Sequence, residues 1–418
     1  MTHTPAAVRH TSIDAVRGFA VLGILLMNIV GMGMPSFAYI DPTYYGGHEG
    51  ANLWVWAVNY VLADGKMRGL FTMLFGASML LIADRAEGRL PGPVSTHYRR
   101  MAWLFVIGMA HAYLLFFGDI LVTYAIAGAI VFLVRRWGPR TLILAGAAIL
   151  VALVAKGLYE GHEVGLLREA ARAPGASAET LKAWKEASFY LTPPAAFGEA
   201  EIAGYQGGFL DAVKARAQMA FIMQTWFLLM EALPEAIGQM MIGMGLFRLG
   251  FFTLGWRNQG YRALVLVGYL VAAPLTAAMA WATVQSGFDP VHRQFYIVLG
   301  ALPRPFVALA HASALLLLVR SGALGWLVSR LAAAGRMAFS NYLGTSIITS
   351  VVFCGFGFGL YGELERYQLY YVVAGIWAFI LLWSRPWLAL FHYGPFEWLW
   401  RSLVMGRPQP FLKRRTPA

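Results

Sequence analysis

Two ionisable residues, His111 and Asp119, end an apolar stretch that reads His111-Ala112-Tyr113-Leu114-Leu115-Phe116-Phe117-Gly118-Asp119. A histidine titrates near neutrality, so in an apolar run it can act as general base, proton carrier or acyl-accepting nucleophile. On a straight helix the two residues would lie about 12 Å apart along the axis, neighbours at one end of a span and not direct partners. The plainer role for His111 is to tie two helices together by a hydrogen bond. Further on, Gln224, Glu231, Glu235 and Gln239 follow at intervals of seven, four and four, the spacing of one helical face. Carboxylates in such apolar surroundings are costly unless neutral or paired. The spacing therefore predicts a face that lines a substrate path or handles protons. If Pro234 kinks the chain, the same face sits at the membrane interface instead. Arg304, between Pro303 and Pro305, opens a broken helix. It suits a phosphate or carboxylate, and equally an interfacial anchor. His311, two turns deeper, fits either packing or a site.

Two more polar patterns belong to particular helices. Thr11-Ser12-Ile13-Asp14 is a helix start, with side-chain oxygens for the free N–H groups and a negative charge at the positive end of the dipole. Arg17 follows one turn on, and Asn28 lies about 16 Å deeper on nearly the same face. Asp14, Arg17 and Asn28 thus form a stripe leading into hydrocarbon, functional or else a snorkelling Arg and an Asn bonded to a neighbouring helix. Asn341, Thr345 and Thr349 form an i, i+4 stripe flanked by Ser346 and Ser350, which reads first as helix–helix glue.

The elements that must carry these residues are set by composition. The 418 residues are 59% hydrophobic and 13% charged, with mean hydropathy +0.58. That excludes a soluble globular protein and predicts an all-α, polytopic transmembrane bundle. The apolar runs are continuous, unlike the alternating segments of a β-barrel. About ten spans can be placed: 14–36, 67–86, 101–118, 119–135, 140–159, 218–250, 261–285, 297–320, 337–356 and 366–385. The 218–250 run is too long for one straight crossing. Basic residues fall on one face of this arrangement: Arg9, Arg17, Arg85, Arg89, Arg99, Arg100, Arg135, Arg136, Arg140, Arg248, Arg257, Arg262, Arg320, Arg330, Arg336, Lys413, Arg414 and Arg415. Both termini are therefore expected in the cytoplasm. The +12 charge reads as topology and contact with anionic lipids, and not as nucleic-acid binding.

Residues 1–160 are expected to form a five-helix half, 161–217 an extracytoplasmic region, and 218–418 a second five-helix half with an interfacial tail around His392 to Arg401. Residues 37–66 carry a Trp-rich amphipathic piece, 53–62, that suits the interface. Ser177 caps a short helix through Ala187, and Pro193-Pro194 breaks the chain. The first span reads as uncleaved. The one cysteine, Cys354, leaves no disulfide within the chain, and no metal-ligand spacing occurs. Gly108 and Ala112 permit close packing within one chain or across a homodimer.

Three separated motifs resemble a known family. Ser12 to Leu25 with Asn28, His111 with Gly118-Asp119-Ile120-Leu121 and Tyr124-Ala125, and Gly335-Arg336 with Asn341-Tyr342 and Gly394-Pro395-x-Glu397-Trp398-Leu399-Trp400-Arg401 resemble the YeiB-like family of bacterial inner-membrane proteins of unknown function. The opening is also similar to that of the transmembrane acyltransferase superfamily. That resemblance implies a membrane His, here His111, that passes an acyl group from a cytoplasmic thioester, acetyl-coenzyme A or another acyl-coenzyme A, to an extracytoplasmic acceptor.

Two functions are thus expected. One is an O- or N-acyltransferase-like protein acting on an envelope sugar, lipid or small molecule. Its cavity would be lined by Asp14, Arg17, Asn28, His111, Asp119, Glu231, Glu235, Arg304 and Asn341. The other is a transporter or lipid-binding protein with no covalent chemistry.

Overall fold

The computed structural model describes residues 11–88 and 91–413. Within them the chain forms eighteen α-helices and no β-strand, only an isolated bridge between Phe391 and Leu412. In chain order these are α1 (Thr11–Gly33), α2 (Gly50–Leu62), α3 (Lys66–Ala86), α4 (Pro93–Leu114), α5 (Leu121–Val131), α6 (Pro139–Arg172), α7 (Ala178–Leu191), α8 (Ala195–Gln206), α9 (Phe209–Gln224), α10 (Leu233–Arg248), α11 (Asn258–Val267), α12 (Ala273–Gln285), α13 (Pro290–Leu299), α14 (Arg304–Ser321), α15 (Gly325–Arg336), α16 (Ala338–Phe353), α17 (Leu369–Leu390) and α18 (Pro395–Met405).

Among the described residues, six helical stretches are long and apolar enough to cross a membrane: Thr11–Gly33, Gly50–Ala86, Pro139–Arg172, Asn258–Gln285, Arg304–Ser321 and Leu369–Leu390. This is an all-helical membrane protein. Each of the ten expected segments overlaps a helix, but not every helix has the length of a span. α16 has 16 residues, about 24 Å of rise against the roughly 30 Å of hydrocarbon. Of the basic residues used to orient the chain, Arg9, Arg89, Arg414 and Arg415 lie outside the described residues.

α1 is the axis of the bundle. Its apolar window is 78% buried, whereas that of α6 is 17% buried. A helix that is apolar all round must be enclosed by protein or by lipid. α1 is enclosed by α15, α16, α3, α17 and α14, and α6 turns Leu144 and Val151 outward. α1 and α15 touch through two glycines. A Cβ on Gly18 would fall onto the Leu331 carbonyl, and one on Gly335 onto the Asp14 carbonyl. Such backbone-to-backbone approach is how helices gain dispersion energy when lipid offers no hydrophobic drive. The face of α4 with Gly108 and Ala112 is used inside the chain, where Gly108 packs on Val122 of α5.

The long 218–250 segment is resolved by two breaks. α9 ends at Gln224, and a wide π-turn at Leu228–Ala232 precedes Pro234 near the start of α10. A second π-turn, Gly268–Ala272, precedes Pro274 in the same way. Proline lacks the N–H of an α-helical turn and its ring crowds the carbonyl four residues back, so a widened turn relieves both.

Segments 37–66 and 161–217 are only partly a solvated connection. α7 buries none of its residues, and Ser177 caps it through the Thr180 amide at 3.1 Å. By contrast, Arg293 pairs with Asp41, and Arg168 binds both oxygens of Asp289 at 2.7 and 2.8 Å. Arg366 is buried and donates to the carbonyls of Ala38 and Tyr45, both at 2.9 Å. Glu201 of α8 accepts from the amide and hydroxyl of Ser36, at 2.9 and 3.1 Å. Burial raises the Glu201 carboxyl from 4.5 to about 7, with the Ser36 bonds opposing. The folded state therefore holds this proton more tightly than the unfolded chain. That stability is complete below about pH 4.5 and is lost as pH rises through 7, up to about 3 kcal/mol. Melting temperature should fall between pH 5 and pH 8, and Glu201→Gln should flatten the fall. A wild-type slope unchanged in the Gln variant would assign it elsewhere.

Candidate functional site

His111 sits in the last turn of α4, and both of its ring nitrogens are bonded. Nδ1 meets Asp119 Oδ1 at 2.7 Å and Nε2 meets Ser346 Oγ at 2.8 Å. The His111 and Asp119 side chains are 1% and 0% exposed, and Ser346 is equally buried. The straight-helix spacing between His111 and Asp119 is overturned, because α4 stops at Leu114. The amides of Leu115 and Phe116 both turn back to the His111 carbonyl, and the chain reverses through Gly118. Asp119 then caps α5, its second oxygen accepting from the Val122 amide at 2.8 Å. One carboxylate thus starts a helix and holds an imidazole.

Ser346 is brought from the other half of the chain on α16, whose start is fixed by the C-terminal motif. Glu397 of α18 accepts from the amides of Phe339 and Ser340 at 2.8 and 3.1 Å, and also from the Ser340 hydroxyl. It caps α16 from a distant segment, and burial raises its carboxyl above the usual range. The Asn341 amide donates to the Ala334 carbonyl at 3.0 Å and to Ser384, and its oxygen accepts from Trp383. Glu397→Ala should destabilise the protein by about 1–2 kcal/mol through loss of this cap. A lowered melting temperature in detergent checks it, with Glu397→Gln recovering part of the loss.

The other predicted residues are distributed over separate contacts. Arg17 pairs with Asp14 at 3.2 Å and donates to Ser78 of α3 at 2.8 Å. Asn28 lines a narrow cavity with Met32, Tyr342 and Thr345. Tyr342 lies 5.0 Å, ring to ring, from His111. Of the stripe's members, Asn28 is therefore the one on the His111 side. Glu231 and Glu235 do not share one face. Glu231 pairs with Lys156 of α6 at 2.7 Å, and Glu235 with Arg68 of α3 at 2.8 Å. The π-turn before Pro234 redirects Glu231. Gln239 bonds Glu235 at 2.9 Å, and Gln224 lies beyond the break. Arg304 reaches Asp64 at 3.5 Å, and His311 joins Tyr269 and the Leu62 carbonyl at 2.7 and 2.8 Å.

Two residues were not read from the sequence as members of a site. Ser346 lies in a run of hydroxyls, and spacing does not say which one faces a histidine. Arg216 belonged to a stretch assigned to an outer loop, yet on α9 it is 1% exposed. Its Nη1 donates to the Leu114 carbonyl at 2.7 Å, and its Nε has no partner.

An Asp–His–Ser relay of this geometry can take a proton from a hydroxyl and return it to a leaving group. Nδ1–H donating to Asp119 would fix the tautomer that leaves Nε2 as base.

Comparison with known proteins places the chain. Residues 246–407 match the family described as "Protein of unknown function (DUF418)". The chain is 29% identical over 416 residues to "Uncharacterized protein YeiB" of Escherichia coli (strain K12), covering 97% of this chain and 99% of that one. It is 24% identical over 430 residues to "Uncharacterized protein YxaH" of Bacillus subtilis (strain 168), covering 96% of each. No solved structure matches significantly. The C-terminal part of the chain thus matches a family of unknown function, DUF418, and the chain as a whole is similar to the uncharacterized proteins YeiB and YxaH.

Proposed function

We propose that this chain crosses the bacterial inner membrane ten times, as two five-helix halves (1–160 and 218–418) joined by an extracytoplasmic 161–217, with both termini cytoplasmic. In it, His111 serves transfer of an acyl group to an envelope sugar, lipid or small-molecule acceptor. The overlap of each apolar segment with a helix supports the crossings, and the basic loops support the orientation.

The observation that carries the chemistry is the Asp119–His111–Ser346 relay. Nε2 takes the Ser346 proton as Oγ attacks the carbonyl of a thioester. The C–S bond breaks, the departing thiolate takes that proton from His111, and the acyl group rests on Ser346 as an ester. An acceptor hydroxyl then yields its proton to Nε2 and attacks the ester, and the proton returns to Ser346 as its bond to the acyl group breaks. The donor is a substrate, acetyl-coenzyme A or another acyl-coenzyme A. The cavities near the relay hold little more than a water molecule each, far below the roughly 300–1,000 Å³ of ordinary ligand sites. Entry of substrate therefore requires α1 and α16 to part, a gating step of the kind that sets many turnover rates. Full-length protein in nanodiscs, given acetyl-coenzyme A and an acceptor series, should release free thiol only with an acceptor present. Inertness to every thioester donor in a protein with an intact melting transition sinks the reading.

One feature favours a second reading, a transporter or lipid-binding protein. The two π-turns before Pro234 and Pro274 interrupt apolar helices, as broken helices do around translocation sites. Proteoliposomes would then show substrate-dependent proton flux that disappears in Glu231→Gln.

A further inference from the structure

We propose that Arg216 is the seat of a carboxylate, in a cavity next to the relay but separate from it. Arg216 is 1% exposed, and no Asp or Glu pairs with it among the described residues. A buried guanidinium without a counter-charge is an expensive thing to keep. Its partners cover only part of it. Nη1 donates to the Leu114 carbonyl at 2.7 Å, the face lies 5.3 Å from the Tyr205 ring, and Nη2 has the thiol of Cys354 at 3.9 Å, a weak acceptor. Nε, on the same edge as Nη2, has no acceptor at all. That edge is a two-pronged donor, and its geometric complement is the pair of oxygens of a carboxylate.

Arg216 lines a narrow cavity with Thr349, Ser350 and Cys354 on one side and Gly31 and Phe116 on the other. The space there holds little more than a water molecule, so a carboxylate enters only as the lining side chains move aside. Ser350 can donate a third hydrogen bond, since its contact to the Leu115 carbonyl is long at 3.4 Å. The seat adjoins the relay by sequence and by helix: Ser350 is one turn along α16 from Ser346, and Phe116 is in the turn that brings Asp119 to His111. It stands whether or not His111 performs acyl transfer. The carboxylate can come from a free small acid or from an acyl chain, and the two are separated by length.

The test uses full-length protein in nanodiscs, with sodium acetate and sodium octanoate as probes, sodium chloride as control, and calorimetric binding with thermal melting as readouts. Both carboxylates should bind and raise the melting temperature, and chloride should not. Tighter octanoate binding assigns the seat to an acyl chain, and equal binding assigns it to a small acid. Arg216→Lys should weaken binding about tenfold, because a point charge replaces a fork. Arg216→Met should abolish binding yet melt no lower than wild type without ligand, since removing an unpaired buried charge removes a penalty. Should Arg216→Met fail to fold, Ser350→Val fills the cavity with the arginine in place and should also abolish binding. His111→Ala should bind acetate as wild type does, so loss of acyl transfer and loss of this seat remain distinguishable. Absence of carboxylate binding to wild type, binding that survives both cavity variants, or equal stabilisation by chloride would overturn the proposal.

Discussion

His111→Ala and Ser346→Ala should each lower acceptor-dependent thiol release by at least about 10³-fold, and the double variant should be no slower than the worse single one. Non-additivity is the sharper part of this expectation. Side chains that hand one proton along a chain act as a unit, so losing one link costs nearly as much as losing all. Asp119→Asn keeps size and the cap on α5 but offers His111 Nδ1 a different partner, with the wrong tautomer favoured. Its loss should approach about 10⁴-fold with a melting temperature near wild type. The same measurement separates two roles for the serine. If Ser346→Ala retains the wild-type rate while His111→Ala loses it, the imidazole acts on substrate directly and the hydroxyl only orients it. Three folded variants with wild-type turnover would end the catalytic reading altogether.

The largest effect on folding is expected at the α1–α15 contact. Gly335→Val would drive a branched side chain into the Asp14 carbonyl and the Gly18 amide, and Gly18→Val would meet Leu331 and Gly335. Neither neighbour is a flexible side-chain tip, so backbone must move, and overpacking of this kind costs about 1–3 kcal/mol or more. Low yield and aggregation in detergent are the expected outcome for either variant. Gly344, on α16, is the contrasting case, because nothing lies within 4 Å of a Cβ there. Gly344→Ala should be neutral or stabilise by about 0.5–1 kcal/mol through helix propensity. Equal behaviour of Gly335→Val and Gly344→Ala in thermal melts would refute the close contact.

Much of this arrangement was legible in the residues, for different reasons. Apolar runs of about 20 residues have few alternatives to helix in a membrane, so the helices follow from composition alone. The cap at Ser177 is a local rule between neighbours, and it holds. His111 and Asp119 stand out because ionisable groups are rare in such surroundings. Their direct bond was hidden by the assumption of a continuous helix, which a reversal at 115–120 breaks. Glu231 and Glu235 fit a periodic face only on a regular helix, and one widened turn sends them to Lys156 and Arg68. Ser346 was illegible because a serine in a membrane helix usually bonds the preceding turn. Only the tertiary arrangement that brings this part of α16 to the end of α4 decides that this one meets an imidazole. Arg216 was misplaced by a boundary: charges nearby made its segment read as a loop, whereas α9 begins at Phe209.

The relay joins residues 235 positions apart. His111 and Asp119 precede the DUF418 region and Ser346 lies inside it. A ribosome therefore delivers the imidazole and its carboxylate to the bilayer long before the hydroxyl exists, and the early helices must wait there with a buried ionisable pair still lacking its third member. Cutting the gene between the halves should leave each product inert, and co-expressing the two pieces should restore what neither supplies.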